Sequence, residues 1–422
     1  MDRRPLYYGW IIVCVAFLGM VLVYGARHSF SIFFPSILGE FGWTRGSTAI
    51  MLSLNLLFYG LLAPVAGSLG DRWRPRRVAL IGISVIGLAT IGCGFAQELW
   101  HFYLLFGVLM PIGTAFCGWP ILGPALVNWF TDRRGLAIAL GQMGGGLSFT
   151  YGFFVEFVIS EVGWRYTFFV IAAILVAILL PVYFLFYYYR PRDKGLEPCV
   201  SLKTQTRSQI EETAVLANES LSKNWTLGNA LRNYRLWLIA AAYMLFWGVG
   251  CYLSLAHQIK FVEDVGYSST FAASIFALFG IFLTVGMFSS AVSDWIGREM
   301  TVFLAAVLVI GALMALVSVK DTSAPWLLYI YAICFGYGGG LFSPAVVAGA
   351  ADLFHGRHFG AIAGFLQTGM GVGGAIGPWL GGFIYDISGS YTNAFIFSMV
   401  CFGLAFLAFF FAAPRKAVGV KE

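Results

Sequence analysis

The chain has 422 residues, of which 59% are hydrophobic and 11% charged, with a mean hydropathy of +0.81. An average soluble domain carries about 25% charged residues, and one or two domain cores cannot hide this much apolar surface. That excludes a cytosolic enzyme, a secreted disulfide scaffold and a disordered chain, and the net charge of +6 reads as membrane orientation rather than nucleic-acid binding. The seven cysteines form no C-x-x-C pair, and six of them lie in apolar runs. Neither a disulfide framework nor a metal site is expected, and no cofactor.

A spanning helix needs about 20 mostly apolar residues. Twelve such stretches follow in chain order: 8–36, 46–69, 77–96, 99–128, 135–159, 165–189, 235–262, 269–292, 299–318, 325–348, 359–385 and 391–412. Glycine-bearing connections at Gly39 to Gly42, Gly163 and Gly389 mark turns between them. The first stretch is too long for a signal-peptide core and is expected to remain as a span. Threading from an inside N-terminus puts 21 of the 26 lysines and arginines on the cytoplasmic side and four outside, with Arg27 within the first span. Both termini are therefore expected inside. Residues 190–234, polar and charged, read as a cytoplasmic linker with a surface helix around Gln209–Ala217. It separates an N-terminal half, 1–189, from a C-terminal half, 235–422.

Three landmarks repeat at nearly one offset. Asp71 in Gly67-Ser-Leu-Gly-Asp71-Arg72 and Asp294 in Ser290-Ala-Val-Ser-Asp294 stand 223 positions apart. Gln142-Met-Gly144 and Gln367-Thr-Gly369 stand 225 apart, and Gly42-Trp43-Thr44 and Gly266-Tyr267-Ser268 stand 224 apart. Two similar six-helix halves are the sequence mark of a secondary transporter with its solute site near midplane. In the duplicated loop, glycine permits close packing while the acid and the basic residues Arg72, Arg76 and Arg298 can bridge helix ends as a gate.

These loops resemble the motif of the major facilitator superfamily, which recurs at the same two places. The resemblance implies an all-α bundle of twelve transmembrane helices in two pseudo-symmetric halves. Trp129-Phe130-Thr-Asp-Arg133-Arg134-Gly-Leu136-Ala137, continuing to Gly144, looks like the signature between spans 4 and 5 of the monocarboxylate transporters. It adds Arg133 and Arg134 to the gating candidates. Tyr24-Gly-Ala-Arg27-His28-Ser29 through Phe34 resembles that family's first-span stretch, with His28 standing where the family has a lysine in the solute path. Gly9-Trp10 echoes the opening motif, with Tyr8 in place of its acid. Span 8 departs from the pattern. The animal members carry an aspartate and a carboxylate-holding arginine there, whereas Ser269 to Met287 holds no charge.

Ionisable groups inside a bilayer cost several kcal/mol unless paired or hydrated, so each is a candidate. Arg27 and His28 lie somewhat beyond the midplane and, being adjacent, point about 100° apart. Arg forks onto carboxylates, and His changes charge near neutral pH, so together they offer an anion anchor and a proton switch. The competing readings are a structural cation paired to Glu156 or a helix end for Arg27, and a hydrogen-bonded packing residue for His28. His257 is equally a proton-coupling ligand or an interfacial gate residue, and Glu156 reads as snorkelling to the outer interface.

Among neutral groups, Asn55 and Tyr59 share a face at i, i+4. Gln142 and Gln367 occupy matching places, and an amide in lipid must find a partner. Tyr337 sits in a glycine-rich run of span 10. These complete the substrate-binding candidates: Arg27, His28, Asn55, Tyr59, Gln142, His257, Tyr337 and Gln367. The glycine clusters permit close helix crossings, and the absence of G-x4-G-K-[S/T] argues against direct ATP coupling.

The expected function is proton-coupled symport of a small monocarboxylate by alternating access. The protein would be a monomer in the cytoplasmic membrane of a prokaryote, and its partners would be a small organic solute, protons and the lipid bilayer. Transport of a larger or aromatic organic solute, in either direction, and a non-transporting solute sensor are the alternatives. No catalytic group is expected.

Overall fold

Each apolar stretch becomes helix, and capping chemistry sets where each one stops. The computed structural model describes residues 7–130, 134–196, 225–354 and 359–412. Its long helical rods are α1 (Gly9–Phe41), α2 (Arg45–Arg72), α3 (Pro75–Gly94), α4 (Leu99–Trp129), α5 (134–162), α6 (Trp164–Phe186), α7 (Tyr234–Asp264), α8 (Ser269–Ile296), α9 (Arg298–Val317), α10 (Pro325–Leu353), α11 (Phe359–Ser388) and α12 (Thr392–Ala412). Gly42, at φ +66°, closes α1 in the left-handed conformation that a residue with a Cβ seldom adopts. The Thr44 hydroxyl then accepts from the Ser47 amide and starts α2. Pro75 and Pro325 stand in the first turns of α3 and α10, where no amide hydrogen is needed.

Ten of these rods are long and apolar enough to cross a membrane. The other two expected spans fall in α5, which a 3₁₀ turn at Ser148–Thr150 divides, and in α11, whose many glycines dilute its apolarity. Between α6 and α7 the structure shows a short 3₁₀ turn, Pro191–Lys194, and a helix, Leu227–Ala230, capped by Thr226. The surface helix expected around Gln209–Ala217 lies outside the described residues.

Cross-chain hydrogen bonds define the two ends of the bundle. At the near end the Tyr7 hydroxyl donates to the Trp129 carbonyl at 2.9 Å, and Tyr8 donates to the Phe186 carbonyl at 3.0 Å. At the distal end Arg165 ties Glu40 at 2.8 Å to the Ala96 carbonyl, also at 2.8 Å. Breaks inside the apolar layer are satisfied locally. The extended backbone at Gly118 ends a helical run of α4, and the buried Tyr183 hydroxyl donates to the Cys117 carbonyl at 2.9 Å. In lipid such a carbonyl must find a protein donor.

The first six rods meet the last six chiefly where α2 crosses α11 and where α5 lies along α8. Gly60 and Gly371 face one another at the first crossing. A Cβ on either would come within 2.9 Å of the other's Cα, so only glycine lets the backbones touch there.

Candidate functional site

The site is built around a local irregularity of α1 at Ser29, whose backbone stays right-handed helical. The first run of α1 ends at His28 and a second begins at Phe30, and the Ser29 hydroxyl donates back to the Gly25 carbonyl at 2.7 Å. Arg27 and His28 occupy the last turn before this irregularity, deep in the bundle. Arg27 is 1% exposed. Its guanidinium makes no ion pair among the described residues, and its Nε and Nη2 have no hydrogen-bond partner. The pairing with Glu156 considered from sequence is not made: no ion pair joins the two among the described residues. Arg27 faces three tyrosine rings instead. Its Cζ lies 4.6 Å from the centre of Tyr59 and 6.0 Å from those of Tyr24 and Tyr252. Cation–π contact offsets part of the burial cost but leaves the N–H donors unused. The Tyr24 and Tyr59 hydroxyls share a 2.5 Å hydrogen bond. Tyr252 comes from α7, so the first and last six rods both contribute to this centre.

His28 is fixed on its other side. Its ring stacks on Phe149 with centres 3.9 Å apart, and Nδ1 lies 2.8 Å from the Ser148 Oγ. Ser148 spends its one hydrogen on the Gly145 carbonyl at 2.6 Å, so its oxygen can only accept. His28 Nδ1 therefore carries the hydrogen, and the second ring nitrogen, Nε2, has no bond among the described residues. Beyond Arg27 and His28 the walls close: the void lined by Ser31, Leu52, Phe149, Tyr252, Leu255 and Phe276 holds about 10 Å³, room for at most one water.

The remaining candidates are placed differently. The Asn55 amide donates to the Phe106 carbonyl at 2.7 Å and ties α2 to α4, while its Oδ1 has no partner. Gln367 is half-buried on α11. Gln142 and Tyr337 are half-buried on α5 and α10. His257, fully buried, sits apart from Arg27. Its Nε2 lies 2.8 Å from the Pro378 carbonyl and must donate, so Nδ1 accepts from the Tyr391 hydroxyl at 3.2 Å.

Among the gating candidates, Arg298 bridges Asp294 at 2.6 Å and Asp352 at 3.1 Å, joining the near ends of α8, α9 and α10. Both carboxylates are substantially exposed, which limits each pair to at most about 1 kcal/mol. Arg76 turns toward α6, with its Cζ 4.7 Å from the Phe184 ring centre. The side chains of Asp71, Arg72, Arg133 and Arg134 lie outside the described residues.

Five groups that sequence reading did not single out converge at the distal end. Arg45 of α2 contacts Asp264 of α7 at 2.5 Å and donates to the Tyr391 hydroxyl at 2.9 Å. Its Cζ lies 3.6 Å from the centre of the Tyr385 ring. Asp386 of α11 accepts the Arg45 and Gly46 backbone amides at 3.0 and 2.8 Å, an anionic cap on α2 supplied from the other half of the rods. Ser31 adds a 2.6 Å bond to the Leu255 carbonyl, and Ser53 accepts the Trp379 amide at 3.1 Å. Beyond the Gly60–Gly371 crossing, where the Thr368 hydroxyl reaches the Gly60 carbonyl at 3.5 Å, no hydrogen bond or ion pair joins the first six rods to the last six at the near end among the described residues. The signal available from sequence was acid and base at turn edges, which a charge count assigns only to a side.

Apolar rods enclosing a buried, unpaired cation between two groups of helices define a multi-pass membrane protein that handles a small solute. A model of the Major Facilitator Superfamily matches residues 16–336 and 322–422, and the chain belongs to that superfamily, whose members here are transporters and not enzymes. It is similar to "Monocarboxylate transporter 13" of Rattus norvegicus, 25% identical over 395 residues, covering 92% of this chain and 85% of the relative. It is also similar to "Monocarboxylate transporter 11" of Homo sapiens, 27% identical over 408 residues, with 93% and 80% covered. Among solved structures, that of the D-xylose-proton symporter superposes with a TM-score of 0.72 at 16% identity, over 96% of this chain and 97% of the other.

Proposed function

We propose that this transporter carries a small monocarboxylate together with a proton across the cytoplasmic membrane of a prokaryote, as a monomer. Twelve spans with both termini cytoplasmic form the halves 1–189 and 235–422, joined by the linker 190–234. The near end is then cytoplasmic, and the conformation described is closed to the outside. The observation that carries the reading is the Arg27 guanidinium, buried between the halves with N–H donors unspent. A carboxylate is the partner whose charge and paired oxygens match a guanidinium fork. The similarity to the monocarboxylate transporters supports the same class of solute.

In mechanism, the solute carboxylate takes Arg27, and Tyr24, Tyr59 and Tyr252 flank its apolar body. His28 holds Ser148 through Nδ1 and receives the coupled proton at Nε2. Bringing an anion and a proton together keeps the moving unit neutral apart from the fixed cation, so the halves can rock about the loaded site. Asn55, Gln142, Tyr337 and Gln367 supply the polar wall. His257, with both ring nitrogens committed, belongs to the outer closure. The duplicated loop with Asp71, Arg72, Arg76, Arg133, Arg134, Asp294 and Arg298 governs the inner one. The aromatic ring around Arg27 favours a second reading, in which the solute is a larger or aromatic carboxylate.

The deciding experiment is uptake into proteoliposomes from a panel of aliphatic and aromatic monocarboxylates, with a neutral sugar as control. An inward acid gradient is expected to drive carboxylate accumulation, and a protonophore to abolish it. Accumulation that follows sodium and ignores pH would exclude the proton mechanism. In the same assay His28→Gln is expected to flatten the pH dependence of uptake between pH 5 and 8, because it removes the titrating group while leaving the cation. An unchanged pH profile would exclude His28 as the proton carrier.

A further inference from the structure

At the near end the loop between α2 and α3 and the chain leaving α6 enclose a pocket of about 760 Å³, which the solute path does not use. Its rim carries Arg74, Arg76, Arg77 and Arg190, and none of them makes an ion pair among the described residues. The single carboxylate in the lining, Asp193, accepts the Arg190 backbone amide at 2.9 Å. Arg76 is steered into the pocket by its stacking on Phe184 and on Tyr188, at 4.7 and 5.5 Å from the ring centres. Trp73, 60% exposed, adds an aromatic side chain of the kind that favours a membrane–water boundary.

Directly beneath lies a second hollow, about 410 Å³, walled by Leu80, Leu180, Pro181, Phe184 and Leu185. Leu80 and Phe184 wall both spaces, so the basic pocket opens into an apolar trough between α3 and α6. Pro181 helps to shape the trough, since it lacks an amide hydrogen and its ring keeps the preceding turn of α6 at a distance. A cluster of arginines over an apolar furrow on the outer surface of the bundle matches one chemistry: a phosphate-bearing headgroup with an acyl chain hanging from it.

We propose that the Arg74–Arg77–Arg190 pocket and the α3–α6 trough together form a binding site for an anionic phospholipid. The phosphate is held by the arginine rim, and one acyl chain lies along Leu80, Leu180 and Phe184. The site is independent of the transported solute, and it ties the α2–α3 loop to the membrane surface. Clusters of this kind at the headgroup level attract anionic lipid in proportion to their charge.

The full-length chain, purified in mild detergent, would be equilibrated with phosphatidylglycerol or with phosphatidylcholine of the same acyl composition, and retained lipid counted by native mass spectrometry. Preferential retention of phosphatidylglycerol is expected. Each of Arg74→Gln, Arg77→Gln and Arg190→Gln is expected to weaken it by about fivefold, and the triple variant by about 100-fold. All three side chains are exposed, so the triple variant keeps the melting temperature of the parent. Leu180→Trp, which fills the trough, is expected to lower retention while leaving the arginines in place. Soluble glycerol phosphate should not displace the lipid, because it has no chain for the trough. Equal retention of the two lipids, an unchanged triple variant, or full displacement by glycerol phosphate would each overturn the assignment.

Discussion

Arg27→Gln is expected to weaken binding of the proposed carboxylate solute by about 10- to 100-fold, the loss of one charge-assisted hydrogen bond in a dry site. The same variant is expected to raise the thermal stability of the empty protein. Arg27 is 1% exposed with two nitrogens unbonded, and a buried unpaired charge costs stability wherever no ligand relieves it. Glutamine removes that charge at similar length, so affinity and stability move in opposite directions. Arg27→Lys should fall between, since an ammonium keeps the charge but cannot fork or lie flat against Tyr59. Calorimetry and thermal melts with and without carboxylate give both readings. A Gln variant that binds normally, or that melts lower when empty, would show Arg27 to be a structural cation whose partner is a tyrosine face.

Breaking the distal closure should shift the transporter toward the state open at that end. Arg45 holds Asp264, Tyr391 and the Tyr385 ring, and Asp386 caps α2 from α11. The Arg45 and Asp264 side chains are 15% and 30% exposed, so their pairing is worth more than a surface pair yet less than a dry one. Taking about 2 kcal/mol for the combined loss in Arg45→Gln gives a population shift of roughly 30-fold. Gly382→Leu tests the same closure by bulk, because a Cβ at Gly382 would meet the Gly46 Cα at 2.6 Å. A cysteine placed at Ser53, which is 4% exposed under the seal, reports the result. Its labelling by a bulky maleimide from the distal side should accelerate in both variants. Labelling that stays at the parent rate would remove Arg45 and Gly382 from the gate.

Much of this molecule is readable without coordinates because lipid leaves the backbone few options. The expected stretches are helical where the structure describes them apart from the interruption at Gly118, with ends displaced by a few residues, as at Gly9–Phe41 against 8–36. Gly42, Gly163 and Gly389 mark turns because each adopts a positive φ. Arg27 stands out for a similar reason: one permanent cation in a long apolar run is a conspicuous cost. What escaped notice depends on contacts between rods far apart in sequence. Tyr252 was one aromatic among many in α7 until the fold set it beside Arg27. Asp386 reads as an ordinary polar residue near a helix end, and only the approach of α2, 340 positions earlier, makes it a cap. His257 was open to either a proton-coupling or a gate role from sequence, and only the fold shows its two ring nitrogens beside the Pro378 carbonyl and the Tyr391 hydroxyl.

The Gly60–Gly371 crossing bears on how the molecule can move. Most packed helices interlock through side chains, so one slides past another only by lifting each residue out of its neighbour's groove. Where two backbones touch with nothing between them there are no teeth to disengage, and the rods can roll about the point of contact with little friction. A fulcrum of that sort sets no direction and stores no strain. The barrier to turnover then resides at the two rims, and the temperature dependence of the rate should follow the bonds broken there and be nearly blind to the centre.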